Sequence, residues 1–195
     1  MPQRAASLIS REVLPFAASL LALAGAALLI DAALHYFDQV WVGRWLGIPG
    51  LALILGSFAY SLRKRKITTR GNPAALLRRH ERMAWFGSLL VLVHAGIHFN
   101  AVLAWAALLA MGVNIVSGLT GKFLLARART RLMAARTRLT DSGMDAAQIE
   151  ERLYRDSLTF DLVKKWRTVH VPITLAFAVL ATAHLVATAM FWDWQ

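Results

Sequence analysis

RRHERMAWFGSLLVLVHAGIHF, residues 78–99, and KKWRTVHVPITLAFAVLATAHLVATAMFW, residues 164–192, decide the reading of this chain. In the first, His80 and His94 stand fourteen positions apart, and in the second His170 and His184 keep the same interval. Fourteen residues of α-helix turn through about 1400° and rise about 21 Å, so each pair shares one helix face to within about 40°. Two such helices side by side would oppose two histidine pairs at two depths.

The sequence around these stretches is that of a membrane protein. The 195 residues are 57% hydrophobic, with a mean hydropathy of +0.50, more apolar than a soluble domain of this length. Apolar runs at about 13–34, 46–62, 83–120 and 169–192 reach or approach the ~20 residues that cross a hydrocarbon core. The third run is too long for one span, and Asn100 near its middle divides it. The expected fold is therefore an all-α integral membrane bundle, a single domain over 1–195. Its five spans would be 13–34, 46–62, 81–99, 101–125 and 168–192, with a four-helix core and a cytoplasmic loop at 126–166. Gly47, Pro49, Gly50 and Gly56 interrupt the second run. It reads as either a short span or a re-entrant segment, with the full span expected. The first run follows Arg4 and Arg11 but is longer than a signal-peptide core and has no clear cleavage site, so it reads as a retained span.

The net charge of +11 is concentrated. Arg63, Lys64, Arg65, Lys66, Arg70, Arg78, Arg79 and Arg82 lie between spans two and three. Arg127, Arg129, Arg131, Arg136 and Arg138 follow span four, and Lys164, Lys165 and Arg167 precede span five. The other side carries chiefly Arg44. Positive-inside bias then puts these loops and the N-terminus of this multi-pass protein in the cytoplasm. Charge that flanks spans argues against a nucleic-acid partner and for the lipid membrane. Under this topology spans three and five are parallel, which pairs His80 with His170 and His94 with His184. Within 126–166, residues 127–139 read as a basic helix continuing span four, Thr140–Gly143 as a break, and 144–156 as a short amphipathic helix.

The chain has no cysteine, which excludes covalent haem attachment and cysteine-ligated clusters. Ionisable residues inside spans are rare and tend to be functional. Neutral imidazole is a good axial ligand for haem iron, so four histidines at matched spacing read as bis-histidine ligands of two b-type haems. The alternative is a structural or proton-handling role. His98, one turn past His94, would replace it as ligand, bond a haem propionate or contact a quinone; the equal spacing favours His94. Gly87, midway between His80 and His94, suits close approach of a haem edge or of a neighbouring helix. Arg79 and Arg167, with Arg78, Arg82 and Lys164, are candidate propionate partners or simply topology signals. His98, Asn100, His35 and Asp31 are candidate quinone-site residues at the outer end, the last two equally readable as a polar pair at the interface.

The two quoted stretches, and above all the Trp-Arg-x-x-His-x-Pro opening of the second (Trp166, Arg167, His170, Pro172), resemble the ligand helices of bacterial di-haem membrane cytochromes b. That group includes cytochrome b subunits of quinol-linked complexes and ferric-reductase-like membrane domains. The resemblance covers about residues 75–192. It implies two non-covalent haems b, transmembrane electron transfer, a place in a bacterial inner membrane and membership of a quinone-linked oxidoreductase complex. The chain lacks the flavin or NADPH domain of the reductases and is shorter than the respiratory cytochrome b. A partner subunit (a multihaem cytochrome, iron–sulfur or flavin protein) would then supply the far electron carrier. Two rival readings are a membrane reductase of a small acceptor, such as a ferric chelate or oxygen, and a haem-free anchor for an enzyme complex.

Overall fold

A computed structural model describes residues 13–96 and 102–191, with side chains throughout except at 124–128, 155–164, 166 and 167. Among the described residues every regular element is helical. Helix α1 covers Leu14–Tyr36, with Pro15 in its first turn, where no N–H is needed. It is apolar all round, and Leu21, Leu28 and Leu29 point outward, as on a lipid-facing surface. Leu23 and Ala27 are buried against Leu89 and Val93 of a later helix.

The second run is a stepped rod of α2 (Val40–Trp45), α3 (Gly47–Ser57) and α4 (Ala59–Lys64). Pro49 cannot donate to the carbonyl of Trp45, and the first step falls there. The rod measures 25 residues, Val40–Lys64. The second run is thus a full span by length and begins about six residues earlier than its hydropathy suggests. Helix α5 covers Pro73–Ala95 and starts on a well-formed cap, with Asn72 Oδ1 accepting from Ala74 N at 2.9 Å. It ends at Gly96, whose φ of +49° few other residues adopt. Helix α6 is Val102–Leu119, and a π-helical turn, Thr120–Leu125, leads into α7, Ala126–Asp141. The expected division at Asn100 falls on residues outside those described, between the end of α5 and the start of α6.

Helix α8 runs unbroken from Ala146 to Phe191. Its 46 residues make a rod of about 69 Å. The segment expected as a loop at 126–166 is therefore a helical hairpin: α7 folds back on the first half of α8 through a turn at Gly143 (φ +77°). Ile149 and Leu153, one turn apart on the amphipathic stretch, are buried in this hairpin. They form no separate surface helix because the helix continues into the last span without a stop signal. Pro172 lies inside that helix.

Among the described residues, four helical segments are long and apolar enough to cross a membrane: Leu14–Tyr36, Val40–Lys64, Val102–Phe123 and Thr168–Phe191. Five were expected. The missing one falls on α5, whose first half carries Arg78, Arg79, Glu81 and Arg82. Its uncharged part begins at Met83, and its expected outer end, 97–99, lies outside the described residues.

The helices pack as two antiparallel pairs, α3 against α5 and α6 against α8, with α1 beside α5. Gly50 and Gly87 bring α3 and α5 into backbone contact. A Cβ on Gly87 would lie 2.9 Å from the Gly50 carbonyl oxygen and 2.8 Å from Ile54 Cγ1. Close approach through small residues is the usual way helices associate where no hydrophobic drive exists. Gly87→Leu is expected to lower the thermal midpoint in detergent, at a cost of about 1–3 kcal/mol from overpacking. Gly112→Ala, where a Cβ meets nothing within 4 Å, should leave the midpoint unmoved.

Candidate functional site: two facing histidine pairs

His80 and His94 lie on the face of α5 that turns toward the stepped rod. His80 Nδ1 is 3.0 Å from the Ser57 carbonyl oxygen, at the end of α3. His94 Nδ1 is 3.3 Å from the Gly43 carbonyl oxygen of α2. A carbonyl only accepts, so in both rings Nδ1 carries the hydrogen and Nε2 keeps its lone pair. On α8, His170 Nδ1 lies 3.1 Å from Ser117 Oγ of α6, a buried serine. One turn on, Thr174 is hydrogen-bonded to Asn114 of α6 at 2.8 Å.

The rings pair across α5 and α8. The centres of the His94 and His184 rings are 6.4 Å apart, with planes inclined at 60°. His80 and His170 are neighbours at the other level. Helices α5 and α8 therefore run in the same direction, with matched levels at 80/170 and 94/184. Among the described residues their backbones make no extended contact; the imidazoles reach across the space between them.

Among the described residues, no cluster of three or more His, Cys, Asp or Glu is placed to hold a bare metal ion. Two imidazoles are enough where a porphyrin supplies the other four nitrogens. His94 and His184, with ring centres 6.4 Å apart, would supply one such pair. The bonds at Nδ1 are the kind that orient a ligating histidine and raise its basicity.

Several supporting groups were not legible beforehand. Gly47, read as an interruption of a span, lies under the His94 ring: a Cβ there would come within 2.8–3.0 Å of three ring atoms. Tyr60 stacks near His80, with ring centres 5.8 Å apart, and Lys64 Nζ lies 5.8 Å from the Tyr60 ring centre. Lys122, at the π-helical turn, pairs with Glu81 at 3.0 Å. A bond to a backbone carbonyl leaves no mark in the sequence, and only Ser117, a small polar residue in an apolar span, offered a signal.

The other expected residues are placed as follows. Gly87 faces α3, so the neighbour it admits is a helix. Arg79 turns along its own helix, Nε lying 3.3 Å from Met83 Sδ. The side chain of Arg167, and His98 and Asn100 altogether, lie outside the described residues. His35 Nδ1 donates to the Asp31 carbonyl at 2.9 Å and lies 3.8 Å from the Asp31 carboxylate. Asp31, His35, Arg44 and His94 border a cavity of about 20 Å³, room for about one water and not for a quinone ring.

The chain matches no family model, no curated protein and no solved structure.

Ser117→Ala removes the partner of His170 Nδ1 and is expected to destabilise the detergent-solubilised protein by about 1 kcal/mol. Ser117→Thr, which keeps the hydroxyl, should restore most of this in the same thermal melt.

Proposed function

We propose that this chain is a membrane electron-transfer subunit that holds two haems b, one between His80 and His170 and one between His94 and His184. The observation that carries the reading is the His94–His184 geometry: 6.4 Å between ring centres, with His94 tied at Nδ1 and open at Nε2. The same tie at His80, one matched level away, supports a second site of the same kind.

The haem supplies a reversible one-electron change at iron. The protein's part is to hold, orient and insulate. Imidazoles from two helices would hold one haem at each level. Carbonyls of Ser57 and Gly43 keep the rings from rotating. The apolar faces of α1, α6 and α8 exclude water. About 21 Å of helix rise between the levels places the two sites toward opposite faces of a hydrocarbon core of about 30 Å.

In this reading α5 is a fifth span. Arg78, Arg79, Glu81 and Arg82 sit at the headgroup level, where long basic side chains extend toward water. The basic end, including the α7–α8 hairpin, faces the cytoplasm by the positive-inside rule, in a bacterial inner membrane. Electrons would be exchanged with a quinone in the bilayer and with a partner redox protein at one face.

The test is a reduced-minus-oxidised visible spectrum of purified protein with a haem assay. Two haems b per chain are expected. His170→Ala and His184→Ala should each remove one, and His98→Ala none. Folded protein without colour would leave the haem-free anchor as the function.

A further inference from the structure

The α7–α8 hairpin carries two large side chains beyond the reach of lipid. Met133 lies ten residues past Phe123, where the span through α6 ends, and Tyr154 fourteen residues before Thr168, where the last span begins. These intervals are about 15 and 21 Å of helix, against a headgroup layer of about 5–8 Å on each side of the hydrocarbon. Met133 is nevertheless 60% exposed and Tyr154 61%.

Helix rotation gathers both on one side of the hairpin. Its seam is made by Ile149 and Leu153 of α8, buried, against Leu132, Ala135 and Leu139 of α7, half-buried. At about 100° per residue, Arg129, Met133, Arg136 and Thr140 fall on one flank of α7. Glu150 and Tyr154 fall on the flank of α8 that has the same sense of rotation from the seam. In an antiparallel pair, flanks of the same sense open on the same side. An open groove of about 360 Å³ follows the α7 flank, lined by Leu132, Met133, Arg136, Thr137, Thr140 and Asp141. Arg136 and Glu150 are exposed, and among the described residues neither forms an ion pair within its own chain. The opposite side of the hairpin carries Arg131, Arg138 and Arg152, all exposed and of one sign, so it repels a copy of itself.

The side with both signs of charge complements itself. Met133 stands eight residues before the end of α7 at Asp141, and Tyr154 eight after the start of α8 at Ala146, so the two are level. Arg136 stands five before and Glu150 four after, level to within about 1.5 Å. Two copies in one membrane share their orientation, so a two-fold axis relating them lies along the membrane normal and keeps every residue at its own height. Rotation about that axis sets α7 of one copy against α8 of the other. Met133 then meets Tyr154 of the second copy, and Arg136 meets Glu150 of the second copy. Each contact occurs twice, as in any isologous interface. A thioether against an aromatic ring and a guanidinium against a carboxylate are both favourable pairs, and Met, Tyr and Arg are side chains enriched at interfaces. We propose that this side of the α7–α8 hairpin docks a second copy of the chain, making a four-helix bundle outside the membrane. The dimer needs the membrane to align the copies but needs no haem, so it goes beyond the proposed function and does not rest on it.

The chain has no cysteine, so introduced thiols are the only ones present. Full-length Met133→Cys and Tyr154→Cys chains, differently tagged, are co-expressed and oxidised in their own membranes. A disulfide-linked product bearing both tags is expected. Ala134→Cys, on the other flank of α7, should give none with Tyr154→Cys. Arg136→Glu or Glu150→Arg, introduced into both chains, should each abolish the product, and the two together should restore it. No product from Met133→Cys with Tyr154→Cys overturns the proposal, and so does an equal yield from Ala134→Cys. A link from Met133→Cys to a different protein also overturns it, as does a paired reversal that fails to restore the product in chains of unchanged helix content. If a charge reversal prevents folding, the comparison of Met133→Cys with Ala134→Cys decides. Haem measured on the same membranes separates the two readings: the link without haem removes the functional reading alone, and haem without the link removes the dimer alone.

Discussion

An imidazole in an apolar interior must find an acceptor for its N–H, and here that acceptor is a backbone carbonyl on the neighbouring helix. The bonds from His80 to Ser57 and from His94 to Gly43 set tautomer, ring direction and helix register together. An unsatisfied polar group away from water costs several kcal/mol in hydrocarbon, so sliding α5 along the stepped rod by one turn would break both bonds. The breaks in that rod at Leu46 and Phe58 lie beside the regions where the two rings dock. What read as irregularity in a hydrophobic run is the shape of the histidine seat.

Glycine sets how near the seat can come. Gly50 and Gly87 let α3 and α5 touch through their backbones, and Gly47 leaves room for the flat of the His94 ring. With α5 held this way its histidines cannot also pack on the backbone of α8, and the space between α5 and α8 is bridged by side chains alone. The second pair, α6 and α8, is fastened differently, by Ser117 to His170 and Asn114 to Thr174. The interior is thus two tightly joined halves with polar rings meeting between them.

Helix α8 joins this interior to the exterior. Its last 24 residues are the apolar span Thr168–Phe191, and its first part pairs with α7 in the basic hairpin. No stop signal separates the two, so the amphipathic turn holding Ile149 and Leu153 and the turns holding His170 and His184 belong to one rod. The base of the hairpin meets α5 through Lys122 and Glu81, one residue from His80.

Much of this was legible from residue types and intervals. Helices follow from apolar runs with few breakers, and the fourteen-residue interval places His80 with His94, and His170 with His184, on shared faces whatever surrounds them. The parallel course of α5 and α8 followed from where the arginines lie, because basic loops stay on one side. The glycines and the proline of the second run made it the least certain part of that pattern, yet it is long and apolar enough to span, and the run that falls short among the described residues is α5, with its charged first half. Other features belong to tertiary structure alone. Which carbonyl receives an Nδ1 hydrogen, which glycine lies under a ring, and which carboxylate borders the small cavity beside His94 all depend on residues distant in sequence coming together. Local periodicity specifies the direction of a side chain from its own helix. What that side chain meets is decided by the packing of the helices, and only there do Ser57, Gly43, Gly47 and Asp31 become neighbours of the histidines.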